Sequence, residues 1–367
     1  MAPVIERRVV SAAATAAPSV AKTVTVLQWN VLADGLAQTD KFPVDPGHLE
    51  WEHRAPLILK ELSSSGADIM CMQELNHWGA CQPDDKPDDW APAPHYLVGC
   101  IACAAVGPTR GAQELRPGPD CPPTPPPGRA GRTCAGSEEY FKPKMEELGY
   151  KGIFIAKEKS PTVKLGYPAD GCSIFYRASR FEAVSEGKGE VYMGEDGSPM
   201  TQHNLRITLR DRETSRELVV ATTHLKAKAG EEENKLRVAQ TKQLLAGLQQ
   251  DCSNPEGSVP RLVILAADFN TTPEMEPVKL VQCHPIGLQS VLQPEGLFQA
   301  HFSTWKFRGE KEKKELIDFM WHSKELEPVS GWAMPTEVRP VPGNRTRTRT
   351  AGLVVAVGSP AFALNAG

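Results

Sequence analysis

Along this chain, short apolar runs repeatedly end on a polar residue. In Arg261 to Pro273, RLVILAADFNTTP, the run Val263-Ile264-Leu265 is too short for a helix and is followed by turn formers, which predicts a buried strand. Asp268 and Asn270 follow two apart, so both side chains face the same side. An Asx turn that merely ends the strand explains that pair as well as a site does.

The same pattern recurs on both sides of this stretch. Thr23 to Leu32 alternates as a strand ending at Asn30, and Trp51 to Ser65 has helical spacing, with Pro56 tolerable only in the first turn and Gly66 as the stop. Ile69 to Met72 is an apolar strand that delivers Glu74. A short helix from Glu138 leads to the strand YKGIFIAK, which ends at Lys157, and DGCSIFYR (170–177) is another strand. Asn204 to Leu209 and Leu218 to Leu225 predict a hairpin, the second strand ending in His224, Lys226 and Lys228. Leu236 to Leu248 reads as an amphipathic helix. His301 to Ser323 reads as two short strands around a charged turn, the second, LIDFMW, carrying Asp318.

Composition narrows the class. With 367 residues and 40% hydrophobic content the chain can bury a large core, and a net charge of −4 offers no general field for binding polyanions. No apolar run approaches the roughly 20 residues that span a bilayer, so no membrane anchor is expected. Nine cysteines and no secretory pattern at the N-terminus suggest reduced thiols. Residues 1–22 read as a leader, either disordered or an organelle transit peptide, with a cytoplasmic protein expected otherwise. Residues 79–136 are rich in Pro, Gly and Cys and read as an insertion, in which the lone pair Cys100 and Cys103 lacks the partners of a zinc site. Residues 343–367 break the preceding pattern and read as an atypical tail, leaving one domain over 23–342.

Strands alternating with helices and hairpins predict a mixed α/β sandwich. Its strand ends offer Asn30, Glu74, His224, Asp268 with Asn270, and Asp318, a set suited to metal-assisted phosphoester hydrolysis. Singly, each is as well explained by a strand-end turn, a solvated carboxylate or a satisfied core histidine.

TVLQWNVLADG, DIMCMQEL, DGCSIFYR, ATTHLKAK, LAADFNTTP and LIDFMWHS, in that order, resemble the endonuclease/exonuclease/phosphatase superfamily, and within it the nocturnin-like deadenylases. The resemblance implies a four-layer α/β sandwich, two packed mixed sheets flanked by helices, with the site at one edge of the sheets. It implies Mg²⁺ on Glu74 assisted by Asn30, Asp268 activating or protonating beside Asn270, and His224 on the scissile phosphate. Asp318 would orient a catalytic histidine, while Lys157, Lys226 and Lys228 match basic positions near substrate phosphates. The implied activity is 3′ to 5′ exoribonuclease action on the 3′ end of RNA, trimming poly(A). Removal of the 2′-phosphate of NADP(H) is the alternative, and a monomer is expected. One departure opens a third reading. The superfamily's terminal strand follows a Ser-Asp-His motif that does not occur in this chain, so the expectation is a missing end strand, an open sheet edge and a catalytically weak, nucleotide-binding protein.

Overall fold

In the strand Thr23–Asn30, Val24 and Val26 face one way and Leu27 the other, and the two faces enter different cores. The same division runs through Ile69–Leu75, Gly171–Arg177, Glu217–Thr223, Leu262–Asp268 and Asp318–Ser323. Ile69, Cys71, Ile174, Val220, Ile264 and Met320 join Val24 and Val26 in a core between two sheets. Leu27, Met70, Met72 and Phe175 point outward, beneath the helices Trp51–Ser64 and Phe141–Glu147. Val219, Leu265, Phe319 and Trp321 point outward on the other side, beneath Glu231–Cys252 and Glu276–Cys283. Two faces buried on these strands require four layers, and the chain is a four-layer α/β sandwich.

The structure is a computed structural model and describes residues 9–11, 23–39, 42, 45–78, 140–253, 260–292, 302–308, 311–332, 349–350 and 353–358. One sheet runs Val9–Ser11, Glu327–Trp332, Leu353–Gly358, Thr23–Asn30, Ile69–Leu75, Gly171–Arg177, Tyr150–Ala156. The other runs Leu288–Ser290, Asp318–Ser323, Leu262–Asp268, Glu217–Thr223, Pro199–Asp211, Phe181–Ala183, with Lys188–Met193 also on Pro199–Asp211. Parallel pairing of Thr23–Asn30 with Ile69–Leu75, and of Glu217–Thr223 with Leu262–Asp268, brings four strand C-termini to one end of the sandwich. Asp318–Ser323 is antiparallel to Leu262–Asp268 with Asp318 opposite Asp268, so its first residue arrives at the same end.

Several expectations are corrected. The end strand is present: Leu353–Gly358 inserts between Glu327–Trp332 and Thr23–Asn30, pairing antiparallel with both. Its run LVVAV has the β-branched content of a central strand, a local signal independent of the missing motif before it. Val9–Ser11, within the segment read as leader, pairs antiparallel with Trp332 to Ser330 at the sheet edge. The charged turn after Arg308 is itself a strand, Lys311–Glu315, paired with Thr304–Arg308 in a separate ribbon that Arg349–Thr350 joins. Glu312, Lys313 and Lys314 are exposed, and such a wet ribbon shows no apolar alternation to read. Pro56 lies beyond the first turn of Trp51–Ser64, on an exposed face where water can serve the carbonyl its ring leaves unbonded. The helix ends as expected, with Gly66 left-handed at φ 62°. The 79–136 insertion, with Cys100 and Cys103, lies outside the described residues, where Cys71, Cys172, Cys252 and Cys283 are free thiols.

Candidate active site

Asn30 continues the face of Val24, Val26 and Gln28 and therefore emerges from the core between the sheets at their common end. His224, two residues past Thr222, and Asp268, two past Ala266, arrive the same way, bridged to each other as neighbouring backbones. Glu74 does not. Alternation would send it outward with Met70 and Met72, but the strand shifts register between Met72 and Leu75, and Glu74 takes φ 53°. This bulge turns its carboxylate to the inter-sheet side.

The Asn30 amide nitrogen joins the two carboxylates, donating to Glu74 Oε1 at 3.1 Å and Asp268 Oδ2 at 3.0 Å. The backbone N–H groups of Leu32 and Ala33 donate to Asn30 Oδ1 at 3.0 Å and to Glu74 Oε2 at 3.2 Å. His224 Nε2 stands 3.9 Å from Glu74 Oε1 and 3.7 Å from Asp268 Oδ2, facing both carboxylates beyond hydrogen-bond length. Asp268 does form an Asx turn, since its Oδ1 accepts from Asn270 N–H at 2.9 Å. Its second oxygen is what ties it to the cluster, so the turn and the site coexist. Asn270, at φ 49°, donates its amide to Leu225 O at 3.1 Å and fastens the segment after His224.

Asp318 lies one layer deeper. Its Oδ1 accepts from Gln28 Nε2 at 2.9 Å and its Oδ2 from Ser303 Oγ at 2.7 Å. Gln28 also donates to Gln73 Oε1 at 2.8 Å, and Gln73 donates to Thr222 Oγ1 at 2.8 Å. This buried network, floored by amides and hydroxyls, links five segments under the carboxylates. Gln28, Gln73, Thr222 and Ser303 were not foreseen, although a Gln on the inward face of TVTVLQWN, two before Asn30, is a visible signal.

The lysines divide. Lys226 is half-buried and Lys228 exposed, and their carbonyls accept from Arg237 Nη1 at 2.9 and 2.8 Å, which pins this segment to the long helix. Lys157 is buried and ion-paired with Asp170. Burial opposes its charge, yet Asp170 and Glu74 outweigh that and hold the ammonium above its usual pKa. Burial likewise opposes the Asp170 charge, but Lys157 and Ser160 hold that carboxyl below its usual range. His203 is buried nearby, and desolvation, followed by the Lys157 charge, drives its pKa down to about 3.

The donor set is hard: two Glu74 oxygens, Asp268 Oδ2 and Asn30 Oδ1. Among the described residues no three His, Cys, Asp or Glu side chains are arranged to enclose a metal. Mg²⁺, which takes one or two carboxylates and keeps several waters, fits such a set better than a closed transition-metal cage would. Strain gathers here as well. Of six non-glycine residues at positive φ among those described, five lie on the segments that carry the cluster: Leu32, Glu74, His77, Lys228 and Asn270.

No protein-family model matches the chain. Nocturnin of Xenopus laevis is 28% identical over 324 residues, spanning 86% of this chain and 66% of the frog protein. The human nocturnin catalytic domain with bound sulfate superposes with a TM-score of 0.63 at 24% identity, covering 96% of this chain and 97% of that domain. The chain is similar to nocturnin in sequence and shares the fold of the endonuclease/exonuclease/phosphatase structures. ANGEL2, a 2′,3′-cyclic phosphatase solved with adenosine-2′,3′-vanadate, shares the fold at a TM-score of 0.65 and 17% identity, over 97% of this chain and 99% of that one. Among the described residues no helix is long and apolar enough to cross a membrane.

Proposed function

We propose that this chain is a Mg²⁺-assisted phosphoester hydrolase of nucleotide substrates, and that it acts 3′ to 5′ on the 3′ end of RNA. The observation that carries this reading is the convergence of Asn30, Glu74, His224 and Asp268 from four strands, with one amide bridging both carboxylates. Likeness to nocturnin supports it. Glu74 and Asn30 would hold the metal, which when bound supplies charge to polarise a phosphoryl oxygen. His224 presents Nε2 to the scissile phosphate, Asp268 takes or returns a proton at Oδ2, and Asn270 keeps Asp268 and the His224 segment in register. Lys226 and Lys228 offset phosphate charge, with Lys157 contributing from behind its Asp170 pair.

A second reading, removal of the 2′-phosphate from NADP(H), gains support from the basic side chains. Lys226 and Lys228 form a short patch, suited to one or two phosphates more than to a long RNA track. Incubation with poly(A) and with NADPH under Mg²⁺ separates the two. Shortening of poly(A) without phosphate release from NADPH supports the first, and the reverse outcome replaces it with the second.

Turnover is expected to be slow in either case. No Ser-Asp-His precedes the strand Leu353–Gly358, and His322 is buried against Ser323 O, paired with Ile264, four residues along its strand from Asp318. A positioned acid-base is worth roughly 10² to 10⁴ in rate. Replacing Thr350-Ala351-Gly352, just before the strand that starts at Leu353, with Ser-Asp-His is expected to raise kcat. Wild-type turnover already at tens per second, an ordinary enzyme rate of order 10 s⁻¹ or above, would overturn this expectation.

A further inference from the structure

Arg54 projects from the helix Trp51–Ser64 to the loop that follows Asn30. Its Nη2 donates to Val31 O at 2.8 Å and also to Leu32 O. Those two carbonyls belong to the peptide units on either side of the left-handed Leu32, at φ 61°. An L-residue in that conformation is strained by about 1 kcal/mol and needs its surroundings to hold it. The turn at Leu32 aims two consecutive N–H groups inward, one at Asn30 Oδ1 and the next at Glu74 Oε2. The guanidinium thus grips the outer, carbonyl side of a turn whose inner, amide side holds the two residues proposed to bind the metal. The far end of the turn is held separately. Asp34 N donates to Asn76 Oδ1 at 3.4 Å, and Asp34 Oδ2 lies 3.2 Å from His77 Nε2, whose ring stacks on Trp51 one helical turn before Arg54.

We infer that Arg54 is a positioning residue for divalent-metal binding: it holds the Val31–Ala33 turn so that the Leu32 and Ala33 amides orient Asn30 and Glu74. The inference rests on the metal site proposed above. A single guanidinium nitrogen makes both contacts, so a lysine ammonium is expected to serve in its place, while a methionine that keeps only the apolar stem is not.

The test is Mn²⁺ binding, followed through the EPR signal of the free ion, on the purified full chain and its Arg54→Met, Arg54→Lys and Glu74→Ala variants. Arg54→Met is expected to weaken Mn²⁺ binding about tenfold to a hundredfold, the usual effect of losing a group that orients a ligand. Arg54→Lys is expected to retain most of the affinity, and near-UV circular dichroism of both is expected to match the wild type. A general packing role would not separate Lys from Met in this way. Wild-type affinity in Arg54→Met, or equal loss in both Arg54 variants, overturns the inference. Where Arg54→Met does not fold, Arg54→Lys decides alone, retained affinity supporting the inference and lost affinity overturning it. Absence of Mn²⁺ binding by the wild-type chain, or unchanged binding in Glu74→Ala, sinks the underlying site instead.

Discussion

At the scale of single residues, chemistry here depends on local departures from regular structure. Glu74 faces the cluster only because its strand is bulged, and its φ of 53° is a conformation that glycine adopts freely and other residues do not. Glu74→Ala and Glu74→Gly are both expected to lose Mg²⁺-dependent hydrolysis with the fold intact. The glycine variant is expected to be the more stable by about 1 kcal/mol in urea denaturation. Equal stability would show that the bulge is unstrained. His203 tests burial in another way. Folded, its pKa lies at about 3, whereas in the unfolded chain a histidine protonates near pH 6.5. As pH falls below about 6.5 the unfolded chain takes up a proton that the folded chain refuses, so stability declines from there toward about pH 3. The lowered Asp170 group adds its own loss only below the ordinary carboxylate range. His203→Gln should therefore flatten the urea midpoint between pH 6.5 and 4.5, and an unchanged slope would reject this assignment.

At the scale of elements, the longer strands with dry faces were legible, while the three-residue strands Phe181–Ala183 and Leu288–Ser290, each burying one apolar side chain, were not. VTVLQWN, IMCM, GCSIFYR, LVVATT and LVILAAD all fall in strands, because burial between layers leaves a pattern that survives in the sequence. The wet ribbon Lys311–Glu315 left none. The tail strand Leu353–Gly358 carried the right local signal, but the missing motif before it pointed the other way, and the partners waiting in space decided the matter: Thr23–Gln28 on one side and Glu327–Gly331 on the other. Val355 pairs with Val26 and Gly331 in the middle of this strand. Val355→Pro removes a ladder donor between two neighbours and leaves a carbonyl unpaired, which is expected to destabilise the chain by about 1–3 kcal/mol, read as a fall in Tm. A change of a degree or less would place Leu353–Gly358 outside the cooperative fold.

At the scale of the whole molecule, the described residues on either side of 79–139 meet. Tyr140 N and Phe141 N both donate to His77 O, at 3.1 and 3.2 Å, and Lys142 N donates to Trp78 O at 3.4 Å. Residues 79–139 thus leave and rejoin the described fold at one place. Replacing residues 79–136 with a short Gly/Ser linker is expected to leave Tm unchanged or slightly raised, since a shorter loop closes at less entropic cost. A marked fall in Tm would show that residues of this stretch pack on the domain.

The strand-end polar residues, their order and the alternation that aims Asn30, His224 and Asp268 inward were determined by the sequence alone, because alternation is a local property of an extended chain. Three things were decided only in three dimensions. The bulge that re-aims Glu74 depends on the register against Gly171–Arg177. The network of Gln28, Gln73, Thr222, Ser303 and Asp318 depends on which inward polar groups meet across the two sheets, because a buried polar group must find a partner wherever packing supplies one. The pairing of Lys157 with Asp170, thirteen residues apart, depends on burial that brings the two charges together away from water, with Glu74 and Ser160 adding to their compensation.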